Sequence, residues 1–255
     1  MIVIRPVVNM RKTSSEESEV VSQALFSEKV TRLQEAGAWS LITTPDGYSG
    51  WVLSESLFPH RENYEPSSQV CRLAAHFYAD KNIKPGPLFT LPYGARLKVI
   101  DTTDPDWVRV QMPKGEYGFI QKGNISPCKI LTKNEMIELS RQFLGCPYTW
   151  GGRSSFGFDC SGFVQMLYGQ MGIFLPRDSG PQSEDPRLRE IGENLLQSGD
   201  LIFWGLSPKQ IRHVGVFLGD GQFIHATAQE HQPYLRISLL STPSVYPHRI
   251  FKTLY

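Results

Sequence analysis

Asp159-Cys160-Ser161-Gly162-Phe163 opens an apolar helical pattern near the middle of the chain, and two histidines follow it in strand-like text, His213-Val214-Gly215-Val216 and Phe223-Ile224-His225-Ala226. A thiol and two imidazoles in this layout are the parts of a cysteine nucleophile, its base and an orienting third group. Phe163, Val164, Leu167 and Met171 recur at helical spacing, and Gly172 stands where a C-cap glycine is expected. Cys160 is therefore predicted to open a helix, with Asp159 suited to the N-cap. The unpaired N–H groups and positive dipole end of such a helix lower a thiol pKa below its free value of about 8.5. On this reading Cys160 is the thiol expected to alkylate first at pH 7.

The two histidines must share one face of a sheet. His213 to Leu218 reads as one strand and Gln222 to Ala226 as the next, with Asp220-Gly221 between them. A two-residue turn at Asp220-Gly221 would put His213 and His225 on opposite faces, because side chains alternate with a period of two. A three-residue loop, Gly219 to Gly221, pairs Leu218 with Gln222 and brings both rings to one side. The three-residue loop is the expected form. His213 is then the base, and His225 holds its ring through the second nitrogen.

Tyr148-Thr149-Trp150-Gly151-Gly152, Asp159-Cys160-Ser161-Gly162, Pro176-Arg177-Asp178-Ser179, Ser198-Gly199-Asp200-Leu201, His213-Val214-Gly215 and Phe223-Ile224-His225-Ala226 together resemble the NlpC family of bacterial cell-wall cysteine peptidases. The resemblance covers the C-terminal half. It implies a papain-like α+β fold, a Cys-His-His triad of Cys160, His213 and His225, and hydrolysis of γ-D-glutamyl amide bonds in peptidoglycan stem peptides. It also implies that Tyr148 sets a hydroxyl near the thiol, and that Asp159, Ser161 and Ser179 hold the substrate's amino end and backbone. Trp150 lies on the loop leading to Cys160 and is expected on the rim of the cleft.

Trp39 and Trp107 each follow a short alternating stretch, and Gly50-Trp51-Val52 and Gly118-Phe119-Ile120 come at the same distance beyond them. Short strands punctuated by turn residues argue for two small all-β barrels. Their endings resemble bacterial SH3-like domains. The expected organisation is a first SH3-like barrel over 1–64, a second over 65–128 and the catalytic domain over 129–255. That last part is predicted to begin with a capped helix, Thr132 and Glu135 forming the capping box and Met136, Leu139, Phe143 and Leu144 its buried stripe. In relatives an SH3-like domain supplies an acidic residue and a tyrosine to the substrate's free amino terminus. The resemblance makes Glu19 and Tyr48 the candidates here, with Glu16 or Glu17 as replacements for Glu19.

A formal net charge of +1 gives no electrostatic argument for nucleic acid or anionic membranes as partners. The text contains no apolar run of the roughly 18 residues that a spanning helix needs. Met1 to Val8 is apolar but broken by Arg5 and Pro6, which is unlike a signal peptide, so a cytoplasmic location is expected, with periplasm or cell envelope as the alternative. Cys71, Cys128, Cys146 and Cys160 lack CxxC spacing and are expected to be free thiols. Cys160, His213 and His225 lack the close-paired spacing of zinc ligands, so neither a metal nor any other cofactor is expected. The expected partner is a peptidoglycan stem peptide or muropeptide, taken by a monomer. A non-catalytic wall-binding protein and an acyltransferase using the same thiol are the alternative functions.

Overall fold

The computed structural model describes residues 1–229 and 231–255, which fall into two compact units. Met1–Lys129 with Ser154–Phe156 form the N-terminal unit, and Ile130–Arg153 with Gly157–Tyr255 the C-terminal one.

The N-terminal unit carries two five-stranded sheets. The first contains β1 (Val7–Arg11), β2 (Val20–Leu25), β3 (Thr31–Ala36), β4 (Trp39–Thr43) and β5 (Ser49–Leu53) in the order β2-β1-β5-β4-β3. Apolar alternation builds it: Val8 and Met10 of β1, Ile42 of β4 and Val52 of β5 point into one core while their neighbours are more exposed. The second contains β6 (Ser68–Val70), β7 (Arg96–Asp101), β8 (Trp107–Gln111), β9 (Tyr117–Gln121) and β10 (Ile125–Pro127) in the order β9-β8-β7-β6-β10. Leu97, Val108, Val110 and Ile120 fill its core with Phe77 and Leu91.

The repeated Gly-aromatic ending has a steric cause. A Cβ on Gly118 would lie 2.2 Å from the Phe77 ring and 2.6 Å from the Tyr78 carbonyl oxygen, and one on Gly50 would lie 2.9 Å from the Met10 Cβ. Both backbones run too close to the layer beneath them for any side chain.

The C-terminal unit begins with α1 (Lys133–Ser140), and the capping box is present: Thr132 accepts from the Glu135 N–H while the Glu135 carboxylate accepts from the Thr132 N–H. A 3-10 turn, Arg141–Phe143, follows and rotates the end of the expected stripe, so Phe143 is buried but Leu144 is 43% exposed. α2 (Cys160–Gln170) buries Phe163, Val164, Leu167 and Tyr168, and Gly172 follows in the left-handed region with φ 76°. Phe143, Phe158 and Phe163 meet edge to face with centroids 5.4 to 6.0 Å apart. Replacing Phe163 by alanine would cost about 3–5 kcal/mol in such a core.

Beyond the short α3 (Ser179–Ser183), six strands form an antiparallel sheet: β11 (Leu188–Ile191), β12 (Leu201–Gly205), β13 (Ile211–Gly219), β14 (Gln222–Ala226), β15 (Leu235–Leu239) and β16 (His248–Leu254), ordered β11-β16-β12-β13-β14-β15. α2 packs on β13. Ile202, Trp204, Phe217, Phe223 and Phe251 make a separate apolar cluster. Every residue of β12 is buried, which is why its sequence runs apolar without alternation.

Candidate active site

Asp159 caps α2 by accepting the Gly162 N–H at 2.7 Å, so Cys160 is the helix's first residue, as expected. Gly162 is forced by packing, since a Cβ there would sit 2.1 Å from the Gly152 carbonyl oxygen. The loop that carries Trp150 is thereby held against the first turn behind the thiol. Trp150 itself is 63% exposed.

The histidines reach a common face by a different device from the one expected. The turn is two residues long: Asp220 (φ 49°) and Gly221 (φ 69°) are both left-handed, the signature of a type I′ hairpin, and Gly219 pairs with Gln222. A bulge between Phe217 and Gly219 absorbs Leu218 and shifts the register by one. This corrects the three-residue loop and its Leu218–Gln222 pair. The functional outcome is the same, because either device moves His213 by one residue relative to β14. His213 Nε2 and His225 Nδ1 share a hydrogen bond of 2.7 Å, and His225 Nε2 meets Ser238 Oγ at 3.0 Å. Trp204 and Phe223 pack beside the two rings at centroid distances of 5.5 and 4.6 Å.

The backbone N–H of Val214, the residue after His213, acts on the Cys160 thiol in the direction that lowers its pKa. Burial and the neighbouring Asp159 carboxylate nevertheless push the thiol up to about 12, against the opposing pull of the Val214 and Ser161 N–H groups and Arg177. The helix terminus alone predicts a shift in the other direction; desolvation outweighs it. Burial holds His213 down to about 4 and His225 down to about 2, with the Arg236 cation adding to the first, and His213 and then Arg236 adding to the second. Burial thus disfavours each ionised form and favours a neutral thiol and neutral imidazoles.

Asp159 and Ser161 are built into a buried ionic network. Arg177 donates from Nη2 to Asp159 Oδ2 at 2.5 Å, from Nη1 to Asp159 Oδ1 at 3.0 Å and from Nη1 to Ser161 Oγ at 3.0 Å. Gln182 donates to the Ser161 carbonyl at 3.0 Å. Arg177 and Gln182 carry no assigned role in the sequence reading, although Arg177 sits inside one of its motifs. Arg236 and Ser238 also escape that reading, lying in a strand it does not single out. Ser179 opens α3 and is buried. Tyr148 is half-buried, and burial, then the nearby Cys160 and Asp159, raise its phenol pKa. Glu19 and Tyr48 belong to the N-terminal unit. Glu19 is exposed and 3.8 Å from Lys12 Nζ, and Tyr48 packs against the first sheet's core. Glu16 and Glu17 are exposed.

Among the described residues, no three His, Cys, Asp or Glu side chains are grouped to hold a metal ion, and all four cysteines are free. No helix among them is long and apolar enough to cross a membrane.

The NlpC/P60 family profile matches residues 145–250, and that of the bacterial SH3 domain matches residues 6–58. A γ-D-glutamyl-L-lysine dipeptidyl-peptidase of Bacillus cereus is 33% identical over 246 residues, covering 89% of this chain and 72% of its own. A Bacillus subtilis protein of the same name is 29% identical over 223 residues, covering 81% of this chain and 72% of its own. The crystal structure of an NlpC/P60 family protein from Bacillus cereus superimposes with a TM-score of 0.86 at 25% identity, over 100% of this chain and 98% of that one. An N-terminal bacterial SH3 domain and a C-terminal NlpC/P60 papain-like domain thus occur in one chain, which belongs to the NlpC/P60 family of cysteine peptidases.

Proposed function

We propose that this protein hydrolyses the amide bond between γ-D-Glu and the following diamino acid in peptidoglycan stem peptides, with Cys160 as nucleophile, His213 as base and His225 as its orienting partner. One observation carries the assignment: the ring of His213, whose neighbour Val214 acts through its N–H on the Cys160 thiol, is held by His225 at 2.7 Å. The names of the Bacillus relatives support the choice of bond.

The chemistry follows from the neutral resting site. Sulfur attacks the γ-carbonyl carbon of D-Glu as the thiol proton passes to His213, so the two charges arise together and offset each other's desolvation. The imidazolium gives that proton to the departing amine, the C–N bond breaks, and a thioester remains on Cys160. Water, deprotonated by the neutral His213, then releases the γ-carboxylate and restores the thiol.

Tyr148, Asp159, Ser161 and Ser179 contact the substrate on this reading. The carboxylate of Asp159 is already matched by Arg177, so its contribution is a fixed hydrogen-bonding edge instead of a free negative charge. The preferred substrate is a turnover peptide with a free L-Ala amino group, which fits a cytoplasmic site of action. The second five-stranded sheet is a second SH3-like barrel: its strand beginning at Trp107, the next at Tyr117, the 3-10 turn at Lys122 and the strand at Ile125 repeat those at Trp39, Ser49, Ser54 and Leu57 at a constant offset of 68 residues.

The test is mass spectrometry of L-Ala-γ-D-Glu-L-Lys and its diaminopimelate counterpart after incubation with the protein. L-Ala-γ-D-Glu and the freed diamino acid are the expected products, absent with Cys160→Ala. Cleavage at another bond, or undiminished cleavage by Cys160→Ala, overturns the proposal.

A further inference from the structure

The hydrogen-bonded row that starts at His213 does not end at His225. His213 Nε2 meets His225 Nδ1 at 2.7 Å, and His225 Nε2 meets Ser238 Oγ at 3.0 Å. Ser238 lies on the edge strand β15, paired with Phe223 of β14. Since His213 turns Nε2 to His225, Nδ1 is the nitrogen left to exchange a proton with the thiol.

A neutral imidazole carries one proton, on either nitrogen. Once His213 has taken the thiol proton it carries one on each nitrogen, and its Nε2–H can only donate. His225 Nδ1 must then be bare, which puts the single proton of His225 on Nε2, facing Ser238. The reverse arrangement, with His225 Nδ1–H donating to His213 Nε2, places the proton of His213 on Nδ1 and leaves the thiol without a base. A serine hydroxyl can serve either arrangement in the resting state, but only the accepting one fits the imidazolium stage.

We propose that Ser238 is a positioning residue that accepts the His225 Nε2–H and thereby holds the relay in the tautomer that lets His213 act as base. The inference rests on the triad reading above. His225 is only 6% exposed, so bulk water does not readily replace the hydroxyl. Arg236, paired with His225 across the ladder, places a cation beside the row and disfavours charge on both rings, which makes the acceptor at its far end more important.

The test compares Ser238→Ala, Ser238→Thr and Cys160→Ala in the full chain, by steady-state kinetics across pH and by imidazole ¹⁵N chemical shifts. An unsatisfied buried N–H at the imidazolium stage lowers kcat about tenfold to a hundredfold in Ser238→Ala, with KM changed less than about twofold. The acid limb of kcat/KM moves to lower pH, because the imidazolium has lost its distant acceptor. Ser238→Thr keeps the hydroxyl and restores kcat to within about threefold of wild type. In the wild type His225 is protonated on Nε2, and in Ser238→Ala it becomes a mixture of tautomers. Wild-type kcat in Ser238→Ala, or equal damage from threonine and alanine with the tautomer unchanged, overturns the inference. If Cys160→Ala is inactive while Ser238→Ala is fully active, only the role of Ser238 fails; activity in Cys160→Ala would remove the triad reading itself.

Discussion

Arg177 closes two hydrogen bonds onto Asp159, at 2.5 and 3.0 Å, and its side chain is almost wholly buried. The carboxylate it meets is also the N-cap of the helix that begins with Cys160. Removing the guanidinium would leave that charge buried without its partner, which typically costs about 3–5 kcal/mol. Arg177→Ala should therefore lower the urea midpoint by a corresponding amount, while Asp159→Asn on top of it recovers part of the loss. Additive losses in the double variant would mean that the pair is not coupled.

Thiol reactivity should follow burial. Cys128 is exposed and Cys71 partly so, whereas Cys146 and Cys160 are buried and burial raises both of their pKa values. At pH 7 iodoacetamide should label Cys128 first and Cys71 next, with Cys160 slow, the reverse of the order expected from the helix terminus alone. An acyl electrophile built on γ-D-Glu should invert this order, since it brings the attacked carbon to the base. Fast labelling of Cys160 by iodoacetamide would show a preformed thiolate instead.

The pH dependence has a definite sign. His213 is held neutral down to about 4, below the ordinary histidine value of about 6.5, so the base stays available as pH falls through 6 and 5. The acid limb of kcat/KM should lie near pH 4 to 5. Between the two values the unfolded chain binds more protons than the folded one, so His213 should make stability fall as pH drops from 6.5 towards 4. His213→Asn should flatten that part of the thermal-midpoint curve. An acid limb at pH 6.5 would place a solvated histidine in the mechanism.

The site was legible to the extent that local chemistry sets it. The Asp159 cap, the opening of α2 at Cys160 and the Thr132–Glu135 box are decided within four residues, and text of that range carries them. The shared face of His213 and His225 followed from parity, but parity cannot tell a longer loop from a short turn with a bulge at Leu218. Arg177 was invisible as the partner of Asp159, because the tertiary fold brings the two together from 18 positions apart. The direction of the Cys160 shift was also out of reach. A dipole is readable from a helix start, while desolvation depends on everything packed around the thiol.

The proposed preference for a free amino terminus is testable without reference to any single residue. L-Ala-γ-D-Glu-L-Lys and its N-acetylated form differ by one charge and two carbons, and they present the same scissile bond to Cys160. If the ammonium is held by a charge-assisted hydrogen bond in a closed subsite, acetylation removes the charge and also adds bulk. A desolvated contact of that kind is worth about 1.5–3 kcal/mol, equivalent to a loss of tenfold or more in kcat/KM. The loss should fall mainly on KM if the ammonium is bound equally in ground and transition states, and on kcat if it aligns the γ-carbonyl for attack. Cleavage of both peptides at equal kcat/KM would reject a closed amino-terminal subsite and return glycan-linked stems to the range of substrates.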